Sequence, residues 1–574
     1  MRDQGTAPRR AGVAGARRRR PWLAWLAVLV AVWLTIAGCT AAEEPEQTET
    51  ETGTTEQQTP APEPEEPEET LAWGPTETEL EEATQIAAQM SEEQVAGQVI
   101  VARYAGTDPQ AAGALVQDLD LAGVILFSEN IASADQVRQS AEAVQDAHAG
   151  SGRDWPAVVS VDNEGGIVQR MSGASGPWTS FGDFAAAGAA VTHDPGAVTD
   201  AARAMAVELR ASGLNMNFAP VADVSIGAAD PTINVRAAGS EPEVVGAAVV
   251  AALAGFDAGG VLASIKHFPG HGGLGTDSHH ALPTQDAGPE HLQEVELPPF
   301  AEGIDAGAPM VMMGHIAVSE WEQGVPASLS EEAYRVLRQD LGFTGVAITD
   351  GLDMGALTAE RSAAQIAVEA LAAGADLLLT PGDTAAAHAG IVAALAEGEL
   401  DRDRLDEAAG RVIAMQQWQE QIADAPGPVG PEEVDSGVSA SRELSAAAIT
   451  VVAGECSEVS AGERVHVQGG SADDWERFVA AAERGGLQVV ALEEPADTSI
   501  RLVVGGGQAQ GGDIAVALDG PWLLAGADAP TQLAAYGRNE HTMDALVEVL
   551  TGQRDPTGVL AFEVEGADPP DCAP

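Results

Sequence analysis

The segment from Lys266 to His279 concentrates polar side chains that can transfer protons. It begins with the run KHFPGHG and reaches Asp277-Ser278-His279 after four further residues. In an extended segment, residues two apart point the same way, so the Asp277 carboxylate can reach the His279 imidazole. A carboxylate partner fixes the tautomer of a histidine and raises its basicity. The spacing therefore predicts a tuned acid/base group on a glycine-rich, flexible loop.

The same histidines also permit a metal site. His267, His271 and His279 could be the ligands of a metal-dependent hydrolase. Helical zinc sites place two histidines at i and i+4 on a rigid element, and a glycine-rich loop lacks that spacing. We therefore favour proton transfer and expect neither a metal nor another cofactor.

A second reactive group stands near the end of a short apolar run at 345–351. Asp350 is the first carboxylate at the end of that run, within Ile348-Thr349-Asp350-Gly351-Leu352-Asp353-Met354. A carboxylate held at the mouth of a barrel can attack an anomeric carbon and form a covalent glycosyl-enzyme. We assign this chemistry to Asp350, and we expect Asp353 to cap the next helix.

The charge balance limits the partners of the chain. There are 28 Lys and Arg residues against 88 Asp and Glu residues, a formal net charge of −60. Such a surface repels nucleic acid, so we expect no nucleic-acid partner. Lys266 is the only lysine. The ammonium group of lysine is compact, whereas the guanidinium group of arginine is larger and planar, so a tight site can require lysine.

The elements that must position these residues alternate between strand-like and Ala-rich helical segments from 75 to 425. Such alternation predicts parallel βαβ units, and eight of them predict an α/β fold of the (β/α)8 TIM-barrel type. An open doubly wound sheet is the alternative, but no glycine-rich dinucleotide fingerprint follows the first strand. The eight runs are 96–103, 122–128, 157–163, 215–222, 261–267, 310–317, 345–351 and 375–380.

Polar residues stand at the carboxyl ends of these runs, where barrel enzymes build their active sites. One strand-end polar residue is easily explained by exposure to solvent, but seven together indicate a site. They are Arg103, Asp162, Asp223, Lys266, His267, His315 and Asp350.

The N-terminus predicts export. Residues 1–38 contain basic residues followed by an apolar stretch, as in a signal peptide. The stretch leads into Ile36-Ala37-Gly38-Cys39, which resembles a bacterial lipobox. That resemblance implies cleavage before Cys39 and lipidation of its thiol. Two acyl chains would anchor the protein stably at the outer face of the cell membrane. An uncleaved signal anchor is the alternative. Residues 39–74, dominated by Glu, Thr and Pro, predict a disordered acidic tether.

A second domain is predicted from 440 to 574, a small α/β sandwich without a catalytic role. Cys456 and Cys572 either pair in an oxidising exterior or remain thiols. The expected strands are 448–453, 464–468, 487–492, 501–505, 514–518, 522–525 and 557–563, with a helix at 541–551.

Four motifs together resemble those of the bacterial β-N-acetylglucosaminidases of glycoside hydrolase family 3. The resemblance covers the whole barrel and is weaker over the C-terminal domain. The KHFPGHG run followed by DSH is the most specific part, since family β-glucosidases lack that loop. The motifs are Asp162-Asn163-Glu164-Gly165-Gly166, Asn217 to Asp223, Lys266 to Gly272 with Asp277-Ser278-His279, and Thr349 to Met354.

The resemblance implies roles for individual residues. Asp350 matches the nucleophile, His279 the acid/base and Asp277 the partner that tunes it. Ile167 stands where many relatives carry a cation and Ala238 where many carry an aromatic residue, which affects the contacts to the sugar ring. Sugar hydroxyls and the acetamido group would be bound by Asp162, Arg236, Lys266 and His267, with Arg103 as a weaker match.

The expected activity is retaining hydrolysis of terminal β-linked N-acetylglucosamine from peptidoglycan fragments or chito-oligosaccharides. Phosphorolysis is an alternative, because an imidazole does not repel phosphate as an anionic carboxylate would. Two further alternatives are a β-glucosidase of the same family and a non-catalytic sugar-binding lipoprotein. A non-catalytic lipoprotein would lack the nucleophile or the acid, and candidates for both are present in this sequence.

Overall fold

The computed structural model describes residues 70–171, 178–359, 361–507 and 509–572. The predicted signal peptide, Cys39 and the tether up to residue 69 lie outside the described residues. Packed structure begins within the last residues of the predicted tether, since Thr70 pairs with Thr76 and Trp73 is buried.

Eight parallel strands form a nearly closed barrel, which confirms the predicted fold. The strands are β1 (Ile100–Arg103), β2 (Gly123–Leu126), β3 (Val158–Val161), β4 (Met216–Asn217), β5 (Leu262–Phe268), β6 (Met310–Met313), β7 (Val346–Thr349) and β8 (Leu378–Leu379). Each lies within one of the eight predicted runs, except that β5 extends one residue beyond its run. Their order in the sheet is β7-β6-β5-β4-β3-β2-β1-β8, and a parallel bridge between Ile348 and Leu377 joins the two edges.

Helices rich in alanine surround the barrel. Side-chain caps fix where they begin: Thr76 and Glu79 form a capping box, and Ser362 forms another with Gln365. The helix Pro242–Gly259 is apolar and long enough to cross a membrane by composition, but more than half of it is buried in the protein. The main helices are Glu77–Ala88, Glu92–Gly97, Pro109–Leu119, Ala134–Gly150, Ala185–Val191, Pro195–Ala211, Pro242–Gly259, Pro298–Asp305, Glu331–Arg335, Ala363–Ala373, Thr384–Glu397 and Arg402–Asp424.

The segment predicted as a second domain, called the C-terminal domain below, contains a six-stranded sheet and belongs to the same compact unit as the barrel. The strands are β9 (Thr450–Ala453), β10 (Arg464–Gly469), β11 (Gln488–Val489), β12 (Thr498–Val503), β13 (Ile514–Ala517) and β14 (Thr531–Ala534). Their order in the sheet is β9-β14-β13-β12-β10-β11, and only the first pair is antiparallel. A hydrophobic cluster lies between this sheet and helices Ala472–Gly485 and Glu540–Leu550, while helix Val438–Ala448 packs towards the barrel.

Two predicted strands of this domain are wrong. The run 522–525 lies in a 3-10 helix, Pro521–Leu524, and its Trp522 packs edge-on against Phe562. Its apolar character therefore reflects packing outside the sheet. The run 557–563 forms only a bridge from Gly558 to Thr450, and the strand β14 was not predicted.

Cys456 and Cys572 form a disulfide, with Cα atoms 5.7 Å apart. It joins positions 116 residues apart in the sequence. Of the two alternatives for these cysteines, the paired form is the one in the structure.

Candidate active site

A cavity of about 370 Å³ opens at the carboxyl ends of the barrel strands. Asp350 and His279, the two predicted reacting groups, both line it. Their sequence positions are 71 residues apart, so the fold brings them to one site. The predicted binding residues Asp162, Arg236, Lys266, His267 and Arg103 line the same cavity.

Asp350 follows β7 directly and is held by backbone bonds. Its N–H donates to the Met313 carbonyl at 2.9 Å, and its Oδ1 accepts the Gly351 N–H at 2.7 Å. Burial alone would raise the pKa of Asp350, but His315, His267 and the Gly351 amide outweigh it and lower the pKa to about 2. The carboxylate is therefore ionised and ready to act as a nucleophile.

His279 is paired with Asp277 as the sequence predicted. Oδ1 of Asp277 accepts both the His279 backbone N–H at 2.9 Å and Nδ1–H at 2.8 Å. Burial opposes ionisation of Asp277, and these two bonds outweigh it and lower the pKa of Asp277. With Nδ1 occupied, Nε2 of His279 is the atom left to exchange a proton with a substrate. The His279 side chain is 59% exposed, so that exchange is open to the cavity.

The buried carboxylate of Asp223 organises the start of the loop. Oδ2 lies 2.7 Å from Nδ1 of His267, and Oδ1 accepts the backbone N–H groups of His267 and His271 at 3.1 and 2.7 Å. Burial raises the pKa of Asp223, but His267 and these hydrogen bonds together lower it. One aspartate thus fixes the cavity-lining His267 and the next turn of the loop.

The far end of the loop is tied down at three points. Nε2 of His271 lies 3.0 Å from the Ser278 hydroxyl. The N–H groups of Gly355 and Ala356 donate to the carbonyls of His279 and Ser278 at 3.1 and 3.3 Å. The predicted flexibility of this loop is therefore offset by contacts to the segment that follows Asp350.

A buried ion cluster forms part of the cavity wall. Lys266 Nζ lies 2.8 Å from Asp162 Oδ1 and 2.7 Å from Glu164 Oε1. Arg236 holds Glu164 with two hydrogen bonds of 2.8 Å, and its Nη2 lies 3.4 Å from Nε2 of His267. Burial raises the pKa of Glu164, but Arg236 and Lys266 outweigh it and hold that pKa well below the usual range.

Two site residues were missed by the sequence analysis. Glu164 lies within the motif Asp162-Asn163-Glu164-Gly165-Gly166. Two buried cations, Lys266 and Arg236, need a counter-charge, and that need could have identified it. Arg170 lines the cavity, and its buried Nε has no hydrogen-bond partner among the residues that the structure describes.

The predicted helix-capping role of Asp353 is wrong. The short helix Gly355–Thr358 is preceded by Met354, and no side chain caps it. Asp353 instead accepts hydrogen bonds from Arg103 at 3.0 Å and from Thr380 at 3.1 Å. It therefore orients Arg103 at the rim of the cavity.

The histidines of the loop do not form a metal-ligand set. Across the part of the chain that the structure describes, no three His, Cys, Asp or Glu side chains are grouped so that they could hold a metal ion. His267 and His271 are engaged by Asp223 and Ser278 instead.

Known proteins resemble this chain in sequence. Residues 82–415 match the glycosyl hydrolase family 3 N terminal domain. Beta-hexosaminidase A of Pseudoalteromonas piscicida is 35% identical over 289 residues, covering 48% of each chain, so the match spans about half of that relative. The beta-hexosaminidase of Xanthomonas euvesicatoria pv. vesicatoria (strain 85-10) is 37% identical over 267 residues, covering 45% of this chain and 76% of that protein.

Solved structures also resemble it. A family 3 β-N-acetylglucosaminidase from Paenibacillus sp. str. FPU-7 is 29% identical with a TM-score of 0.72, and the match covers 83% of this chain and 99% of that one. LpqI of M tuberculosis is 31% identical with a TM-score of 0.52, covering 58% and 96%. The Paenibacillus match extends beyond the barrel into the C-terminal domain.

Proposed function

Because the chain belongs to glycosyl hydrolase family 3, we propose that it is a retaining exo-β-N-acetylglucosaminidase. It would hydrolyse terminal β-linked N-acetylglucosamine. The observation that carries the proposal is that Asp350 and His279, whose Nδ1 is held by Asp277, line one cavity. The names of the Xanthomonas and Paenibacillus relatives support the same substrate class.

The reaction follows from the protonation states of the two groups. Protonated His279 donates from Nε2 to the glycosidic oxygen while the ionised Asp350 attacks the anomeric carbon. The bond to the leaving group breaks and a glycosyl–aspartate ester forms. Neutral His279 then removes a proton from water, which displaces Asp350 from the same carbon. Two displacements at one carbon retain the configuration.

Asp277 supports both steps. Its carboxylate accepts the Nδ1–H of His279 and stabilises the imidazolium that forms when water is deprotonated. Asp162, Lys266, Arg236 and His267 line the same cavity and would present donors and acceptors to the sugar hydroxyls and the acetamido group.

The test is release of p-nitrophenol from its β-N-acetylglucosaminide, with the β-glucoside as the competing substrate. Asp350→Ala should abolish nearly all turnover. His279→Ala should spare substrates with good leaving groups more than those with poor ones, since good leaving groups need little protonation. His466→Ala is the matched control, because that imidazole lies on β10, does not line the cavity and contacts the Glu494 carbonyl. Preference for the β-glucoside, or unchanged turnover in Asp350→Ala, would overturn the proposal.

Phosphorolysis is the second candidate, and the imidazole acid/base favours it because a neutral base does not repel an anionic acceptor. The same assay with and without inorganic phosphate separates the two reactions. N-acetylglucosamine accumulates in hydrolysis, and its 1-phosphate accumulates in phosphorolysis.

We further propose that the protein is exported and lipid-anchored through Cys39, and that it acts on peptidoglycan fragments or chito-oligosaccharides. The Cys456–Cys572 disulfide supports an oxidising compartment outside the cytoplasm. Cys39→Ser should release the protein from the membrane fraction and abolish incorporation of labelled fatty acid. Incorporation that persists in the variant would contradict the anchor.

A further inference from the structure

A short hairpin carries two site residues into the cavity. Its strands, Asn163–Gly165 and Val168–Gln169, pair antiparallel. Glu164 enters the ion cluster from the first strand, and Arg170 follows the second strand at the cavity wall. The position of the hairpin therefore sets the position of both side chains.

The tip of the hairpin is held from behind by the segment 181–183. Gly166 N–H donates to the Phe181 carbonyl at 3.1 Å, and Ile167 N–H donates to Oδ1 of Asp183 at 3.1 Å. Asp183 is only 4% exposed. A buried side chain that accepts a backbone N–H replaces a bond the turn would otherwise make with water.

The close approach of the segment 181–183 explains why the hairpin has two glycines. Gly165 and Gly166 have positive φ angles of 99° and 53°. A Cβ on Gly166 would lie 1.8 Å from Oδ1 of Asp183, and one on Gly165 would lie 2.5 Å from the Gly182 carbonyl. The turn fits against this segment only when both positions lack a side chain.

Asp183 is itself placed by the C-terminal domain. Its backbone N–H donates to the carbonyl of Tyr536 at 3.1 Å. Tyr536 is fully buried and follows β14 by two residues. A Cβ on Gly182 would lie 3.0 Å from the same carbonyl, so the two segments are in close contact.

We propose that Asp183 is a positioning residue through which the C-terminal domain holds the hairpin of Glu164 and Arg170 against the active site. The inference rests on the proposed function, since it concerns substrate binding at that site. No residue of the C-terminal domain lines the cavity among the described residues. The domain therefore acts on the sugar through the contacts from Tyr536 to Asp183 and from Asp183 to Ile167.

The test uses the full chain with Asp183→Ala and Asp183→Asn. Two readouts are taken: KM and kcat on the p-nitrophenyl β-N-acetylglucosaminide, and amide hydrogen exchange of the peptide covering 163–171. Exchange is measured without substrate, so it stays informative even if the wild type has no activity and the proposed function fails. Asp194→Ala is the matched control, because that carboxylate accepts a backbone N–H in the helix that follows.

Asp183→Ala should raise KM on the order of tenfold with a smaller change in kcat, and should speed exchange of the hairpin. Asp183→Asn should restore both, because its amide oxygen can accept the Ile167 N–H. If Asp183→Ala does not fold, Gly166→Ala replaces it, since the added Cβ displaces the carboxylate. A folded Asp183→Ala or Gly166→Ala with wild-type KM and exchange would overturn the inference. A folded Asp183→Asn as impaired as Asp183→Ala would overturn it as well.

Discussion

The Ser278 hydroxyl lies 3.0 Å from Nε2 of His271, and this contact ties the residue before the acid/base to the core of the barrel. The His271 N–H donates to Asp223, which also holds His267. The proposed acid/base and the cavity-lining His267 are thus both connected to the buried Asp223 carboxylate. The reach of His279 towards the substrate depends on that anchor.

Removing the Ser278 hydroxyl should impair protonation of the leaving group. For Ser278→Ala we expect kcat to fall about tenfold on chito-oligosaccharides, which have poor leaving groups, and less on p-nitrophenyl substrates. KM should change little, because the proposed sugar-binding residues are untouched. His466→Ala, on β10 and outside the cavity lining, is the control. An equal loss of kcat across all leaving groups would contradict this role.

Loss of the Glu164 carboxylate, which Lys266 and Arg236 share, should lower the free energy of unfolding. Glu164 and Lys266 have side chains only 2% exposed, so Glu164→Gln leaves buried cations with one carboxylate fewer. Breaking such a pair costs about 3–5 kcal/mol in the free energy of unfolding. Urea unfolding at pH 7 measures it.

The matched control is Glu129→Gln, which breaks the exposed pair between Glu129 and Arg103. An exposed pair of this kind contributes at most about 1 kcal/mol. A similar loss in both variants would show that burial of the Glu164 cluster adds nothing.

The low pKa of Asp350 has a kinetic consequence. Burial raises that pKa, but His315, His267 and the Gly351 amide lower it to about 2, so the nucleophile stays ionised above pH 4. His279→Ala removes the proposed acid/base, so a substrate with a good leaving group reports on the nucleophile. We expect kcat/KM of this variant to be flat from pH 4 to 7. An acidic limb with an apparent pKa of 4 or above would contradict the assignment.

Local patterns in the sequence predicted the barrel and the contact between Asp277 and His279. Parallel barrel strands are buried on both faces and so appear as short apolar runs, which is why all eight were found. Asp277 and His279 are two residues apart, so their contact depends on local geometry alone.

Contacts between distant residues were not predictable in the same way. The role of Glu164 depends on cations 72 and 102 positions away, and Asp353 pairs with Arg103 across 250 positions. The strand Thr531–Ala534 was missed because only its second half is buried. Its place in the sheet is set by β9 and β13 rather than by its own pattern.

Asp183 should make the stability of the fold depend on pH near neutrality. Burial and the nearby Asp519 raise the pKa of Asp183 to about 7, while the Ile167 amide and Arg538 oppose that shift. Its ordinary value is 3.8. A carboxyl whose pKa is raised on folding contributes stability that is present in full below pH 3.8 and is lost as the pH rises to about 7.

Asp183→Asn removes this titration and keeps an acceptor for Ile167. The free energy of unfolding of the wild type minus that of the variant should therefore fall between pH 4 and 7, with a slope approaching about 1.4 kcal/mol per pH unit. Urea unfolding at pH 5, 6, 7 and 8 measures it, with Asp194→Asn as the control for loss of an exposed carboxylate. A difference that stays constant across this range would show that Asp183 is ionised in the fold throughout, and that Asp519 does not face it closely enough to hold its proton.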